Sequence, residues 1–169
     1  MRRGKRIRSF TPIAGRDARV LVLGSMPGGA SLEAGRYYAH SQNAFWRIAA
    51  DLLRFDPGLP YAEKTKILVS SRIALWDVLH SCVREGSLDT MIEEEAANDF
   101  RAFFRTHRAI THVFFNGAKA EASYRRHVQA GIGNPLQYLR LPSTSPAHAS
   151  LPYARKLAAW RAVLKAIDA

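Results

Sequence analysis

Cysteine is almost absent. Cys82 is the only one in 169 residues, which excludes an internal disulfide, a cysteine-ligated iron–sulfur cluster and the paired-cysteine zinc sites. Long apolar runs are missing too, none approaching the roughly 18–20 residues needed to span a bilayer. No apolar signal core follows the basic start MRRGKRIRSF, so an intracellular protein without a membrane anchor is expected. Acidic residues are scarce, 14 against 25 Lys and Arg, for a formal charge of +11. That balance favours a polyanionic partner through counterion release, without saying whether nucleic acid or an acidic membrane. The phosphate-binding lysine of a P-loop is also absent. Gly24 and Gly29 have the spacing, but Ala30 and Ser31 follow. GIGNPL (131–136) lacks the third glycine of a dinucleotide fingerprint, so nucleotide hydrolysis is not expected.

What is present is an alternation of strands and helices. ARVLVLG (18–24), RIALWDVL (72–79), THVFFNG (111–117) and LQYLRLP (136–142) are short runs rich in Val, Ile, Leu and Phe, and most end at a glycine, a proline or a polar turn. Helical spacing marks 44–54, 118–130 and a C-terminal stretch in which Tyr153, Leu157, Trp160, Leu164 and Ile167 recur on one face, with shorter helices at 61–70 and 98–107. The alternation predicts an α/β fold, a three-layer α/β/α sandwich around a central four-stranded, mainly parallel sheet. One domain is expected over 1–169, with 1–10 a basic segment free to be flexible. The acidic run Glu93, Glu94, Glu95 is expected to face away from a phosphate backbone or to open a solvated helix.

Ligands of such sheets bind beyond the carboxyl ends of the strands, so the residues there are the candidates. GSMPGGAS (24–31) follows the first strand as a stiff turn with Pro27 between glycines. Asp77 follows the second. Asn116 and Gly117 turn the third into a helix, which simple turn chemistry also explains. The fourth leads into LPSTSPAHAS (141–150), a rigid polar loop able to enter a duplex or grip phosphates through Ser143, Thr144, Ser145 and backbone N–H groups. One further loop, RYYAHSQNAFWR (36–47), gathers Tyr37, Tyr38, His40, Gln42 and Asn43 ahead of a helix. By residue type alone Asn43 is a helix N-cap and His40 is a structural histidine or a phosphate contact. Phe45 and Trp46 are core residues.

GSMPG, YYAHSQNAFW and LPSTSPA, with a weaker match at FFNGAKA, agree in order and position with one family. The sequence resembles the uracil-DNA glycosylase superfamily, and most closely its hypoxanthine (deoxyinosine) DNA glycosylase branch, with motif similarity to the mismatch-specific uracil/thymine enzymes. The resemblance implies a monofunctional DNA glycosylase that flips a deaminated base, hypoxanthine first, out of DNA and hydrolyses its N-glycosidic bond to leave an abasic site. The rivals are a uracil or mismatched-thymine glycosylase and a catalytically silent nucleic-acid binder. Met26 stands where the mismatch-specific enzymes carry their water-positioning asparagine, and methionine cannot orient water. In the hypoxanthine branch that role matches Asn43. Ser145 replaces the His or Asn that elsewhere contacts the base oxygen. The implied base pocket comprises Gly24, Ser25, Met26, Pro27, Tyr37, Tyr38 (the stacking aromatic), Asp77, Asn116 and Ser145. Implied DNA contacts are Arg36, His40, Lys119, Ser143, Thr144, Pro146, Ala147 and His148. Neither cofactor nor metal is expected, and DNA carrying a damaged base is the partner, with no membrane and no obligate protein partner.

Overall fold

The β-branched and aromatic runs become the central sheet. The structure, a computed structural model, describes residues 4–169, so the first three residues of the basic segment lie outside it. In chain order the elements are β1 (Arg6–Arg8), β2 (Val20–Gly24), α1 (Gly29–Ala34), α2 (Phe45–Leu53), α3 (Tyr61–Ser70), β3 (Ile73–Asp77), β4 (Leu79–Val83), β5 (Glu93–Ala97), α4 (Phe100–Thr106), β6 (His112–Asn116), α5 (Ala118–His127), β7 (Gln137–Leu141) and α6 (Tyr153–Ile167). Four strands pair in the order β3-β2-β6-β7, all parallel. Each lies inside a run that the sequence marks as a strand.

Side-chain alternation along β2 explains the layering. Val20 and Val22 face one side, packed with Phe45, Ile48 and Ala49 of α2, Leu68 of α3 and Trp160 and Val163 of α6. Leu21 and Leu23 face the other, packed with Phe100, Phe103 and Phe104 of α4 and Ala120 and Tyr124 of α5. A sheet buried on both faces accounts for strands that read as continuous apolar runs. Among the described residues no helix is long and apolar enough to cross a membrane.

Three features depart from the sequence reading. The GSMPGGAS segment contains a short helix, α1, as well as a turn. A second sheet, β1-β4-β5, is antiparallel and was not anticipated. It pins the basic segment from Arg6 onward, where Arg6 pairs with Ser81 and Glu94. The acidic run is strand β5 instead of a solvated helix start. Its Glu95 turns inward to Ser123, to Lys119 at 2.9 Å and to His127 at 3.3 Å. Burial alone would raise the Glu95 pKa, but hydrogen bonds from these three side chains outweigh it and hold the carboxylate at about 2.

Candidate active site

The carboxyl ends of β2, β3, β6 and β7 open onto one cleft of about 580 Å³, room for a purine nucleoside. Residues from all the quoted sequence blocks line it: Gly24 to Ser31, Tyr37, Tyr38, His40, Asn43, Asp77, Asn116 and Ser143 to His148.

The floor is built on a close approach. A Cβ on Gly24 would lie 2.6 Å from Asp77 Oδ1 and 3.2 Å from the Tyr38 hydroxyl, so any other residue would displace the Asp77 carboxyl. The 24–27 turn is fastened from below. The Gly24 and Ser25 carbonyls accept from Val78 and Leu79 N–H, the Pro27 carbonyl accepts from Arg84 Nη2 at 2.6 Å, and the Ser25 hydroxyl donates to Asp89 Oδ1 at 2.6 Å. Met26 is buried in the core cluster beneath the cleft.

The aromatic wall comes from the 36–47 loop. Tyr38 stacks on Phe45 with ring centroids 4.2 Å apart and sits at φ 53°, a left-handed conformation rare for an aromatic residue. Its hydroxyl accepts from Asn116 Nδ2 at 3.1 Å. Burial, aided by the charge of Asp77, holds the Tyr38 phenol well above its usual pKa. Tyr37 lies deeper, donating to the Thr11 carbonyl at 2.8 Å while its own carbonyl accepts from Trp46 Nε1. It supports the wall.

The N-cap of α2 is Ala44 and not Asn43 as expected. Asn43 lies one residue earlier, where its Oδ1 accepts the Phe45 N–H at 2.9 Å in an Asx turn while the side chain lines the cleft. The second lone pair of the oxygen and the Nδ2 group are left for a ligand. His40 Nδ1 accepts from Gln42 N–H, which puts the proton of a neutral ring on Nε2.

Two expected contacts are instead structural. Asn116 donates to Tyr38 and to Thr144 Oγ1 at 2.9 Å and accepts from Thr144 N–H at 2.9 Å, so its amide clamps the 141–150 loop. Thr144, expected to grip phosphate, is 1% exposed and gives its carbonyl to Ala44 N–H. Ser143 and Ser145 order the same loop, with Ser145 Oγ capping the turn at Pro146–His148. Ala147 and His148 stand exposed at the rim. Lys119 and Arg36 do not line the cleft. The first is paired with Glu95, and the second lies 5.8 Å over the Tyr61 ring.

Asp77 differs from every other group in the cleft. The residue is 4% exposed, and among the described residues nothing hydrogen-bonds its buried Oδ2. Burial, reinforced by the nearby Asp89 carboxylate and opposed by Arg84, raises its pKa to about 7. The far wall, Ser87 to Thr90, was not found from sequence. It lies outside the quoted blocks and has no apolar periodicity. Only Gly86, at φ 72°, marks it as a turn.

Strand-end architecture, an aromatic wall and a proline-stiffened second loop define an α/β/α scaffold with its cleft at the carboxyl ends of the strands. A family model described as the uracil DNA glycosylase superfamily matches residues 12–166. The chain is 32% identical over 159 residues to a hypoxanthine DNA glycosylase of Methanosarcina acetivorans, covering 94% of this chain and 98% of that protein. It is 34% identical over 112 residues to a hypoxanthine DNA glycosylase of Methanosarcina barkeri, covering 66% and 71%. A solution NMR structure from Methanosarcina acetivorans, described as a candidate uracil DNA glycosylase, superposes with a TM-score of 0.84 at 30% identity, covering 98% of this chain and all of that one. The chain belongs to the uracil DNA glycosylase superfamily and is by class a DNA glycosylase, a hydrolase of N-glycosyl bonds.

Proposed function

We propose that the protein removes hypoxanthine from DNA by simple hydrolysis, leaving an abasic site. The observation that carries this reading is the convergence of Tyr38, Asn43 and Asp77 on one purine-sized cleft at the strand ends. The names of the two Methanosarcina relatives support the choice of base.

In this account the flipped base stacks on Tyr38, which Phe45 backs and Asn116 orients. Stacking of this kind contributes about 1–3 kcal/mol and tolerates different bases. The N–H groups of the Ser25–Met26 turn and the Asp77 carboxyl meet the base edge, where hypoxanthine offers a ring N–H beside a carbonyl. Asn43 holds the attacking water through its second lone pair or Nδ2. Cleavage passes through an oxocarbenium-like sugar, so a held water and a stabilised leaving base suffice without a strong base. A lyase step would need an amine nucleophile, and among the described residues no lysine lines the cleft. His40, Ala147 and His148 at the rim meet the DNA backbone.

Uracil is the second reading, since it presents the same pairing of N–H and carbonyl and the structural relative carries that description. Matched duplexes containing hypoxanthine, uracil, xanthine or mismatched thymine, developed with alkali, separate the readings. Cutting chiefly at hypoxanthine is expected. Cutting chiefly at uracil would overturn the base assignment, and binding without any cutting would overturn the enzymatic one.

A further inference from the structure

Base removal needs somewhere for the electron pair of the glycosidic bond to go, and a purine departs more readily when a proton reaches it. Few groups in the cleft can supply one. Asn43 carries an amide, which does not titrate. Tyr38 already accepts from Asn116, and its phenol is held well above its usual pKa. Asp89 lines the far wall, but its Oδ1 is taken by the Ser25 hydroxyl. Among the described residues no lysine lines the cleft.

Asp77 remains. It ends β3 on the cleft floor and is pinned there through its backbone, whose carbonyl accepts from Asn98 Nδ2 at 2.9 Å. Its side chain makes no hydrogen bond among the described residues, and Oδ2 is a buried oxygen with no partner. A buried carboxyl left without partners is a costly arrangement that a ligand would complete. The groups facing it are Gly24 at the end of β2, Tyr37 and Tyr38 from the aromatic loop, Arg84 beyond β4 and Asp89 from the far wall. Arg84 gives its Nε to the Gly86 carbonyl and one Nη to the Pro27 carbonyl, so it braces the loop. Among the described residues no ion pair holds Asp77 ionised.

We propose that Asp77 is the catalytic acid, donating its proton from the neutral carboxyl to the O6 or N7 acceptor of the purine as the base leaves. The proposal rests on the reading that a purine is removed. The C1′–N9 bond breaks with its electron pair passing to the base, while the O–H bond of Asp77 breaks and its proton joins the base. Water held by Asn43 forms the new C1′–O bond and releases its surplus proton to solvent. The carboxylate of Asp77 recovers a proton from solvent before the next turnover. An acid of this kind works best with a pKa near the operating pH, and burial together with Asp89 puts Asp77 there.

The test is single-turnover excision of hypoxanthine across about pH 5 to 9 by the parent and by Asp77→Asn, a neutral isostere. The parent rate is expected to be level below about pH 7 and to fall about tenfold per unit above it. Asp77→Asn should excise about 100-fold more slowly or worse, with no such decline, while binding hypoxanthine DNA as the parent does. A variant within about threefold of the parent, or one keeping the parent's pH profile, would overturn the proposal. So would a parent profile without the alkaline decline, whether or not the variant folds. A parent that removes uracil but no hypoxanthine defeats the reading beneath, and the acid falls with it.

Discussion

Replacing Asp77 by asparagine should stabilise the protein, and only above a defined pH. A carboxyl that titrates near 3.9 in an unfolded chain titrates at about 7 in this fold, because burial and Asp89 penalise its charge. Between those values the native state holds a proton that the unfolded state has released. Stability therefore falls as pH rises from about 4 to about 7, and the loss is complete above that. At about 1.4 kcal/mol per pH unit the cost reaches on the order of 4 kcal/mol. Asparagine never ionises and escapes this cost, but it leaves a buried amide short of partners at about 1–3 kcal/mol. The net gain at pH 8 is about 1–3 kcal/mol, or about 2–12 °C in Tm for a chain of this size. At pH 4 the gain should vanish or reverse. Thermal unfolding of both proteins by circular dichroism at pH 4 and pH 8 reads this directly. An equal Tm difference at the two pH values would refute the reasoning, since the effect would then not be one of ionisation.

Tyr38→Ala should weaken binding of hypoxanthine DNA and lower excision by about 5- to 150-fold, matching a stacking loss of about 1–3 kcal/mol. An unchanged rate would mean that the base stacks elsewhere. Glu95 has the opposite linkage to Asp77. Its pKa is depressed to about 2, so it stabilises above its ordinary 4.5 and loses that contribution as pH falls through about 2. Glu95→Gln should therefore cost about 1–3 kcal/mol at pH 7, with the difference closing near pH 2 in an unfolding series. With a charge of +11, affinity for DNA should fall steeply with salt. Lys119→Ala should leave that salt slope unchanged in a titration by fluorescence anisotropy, because Lys119 is spent on Glu95. A shallower slope would return Lys119 to the DNA.

The central sheet was legible because strands buried on both faces leave unbroken runs of Val, Leu and Phe, as in VLVLG and HVFFN. The second sheet was not. Glu93–Ala97 has the composition of a helix or a solvated loop, and tertiary pairing with β4 overrides that preference. At the site, position was readable and partnership was not. Asn116 and Thr144 both lie where the motifs put them, yet their side chains are turned to each other. Chain order cannot reveal that a hydroxyl faces inward. The same limit hid the isolation of Asp77, which depends on what fails to reach it from β4, the far wall and the aromatic loop.

The most direct test of the account is excision of hypoxanthine by the parent beside Asn43→Ala under single-turnover conditions, with affinity for the same duplex measured in parallel. The account predicts that the parent cuts at hypoxanthine while Asn43→Ala binds the duplex and leaves it almost uncut. The loss of the hydrogen bond to the Phe45 N–H should lower its stability by only about 0.5–1.5 kcal/mol. An Asn43→Ala protein that cuts as fast as the parent would contradict it.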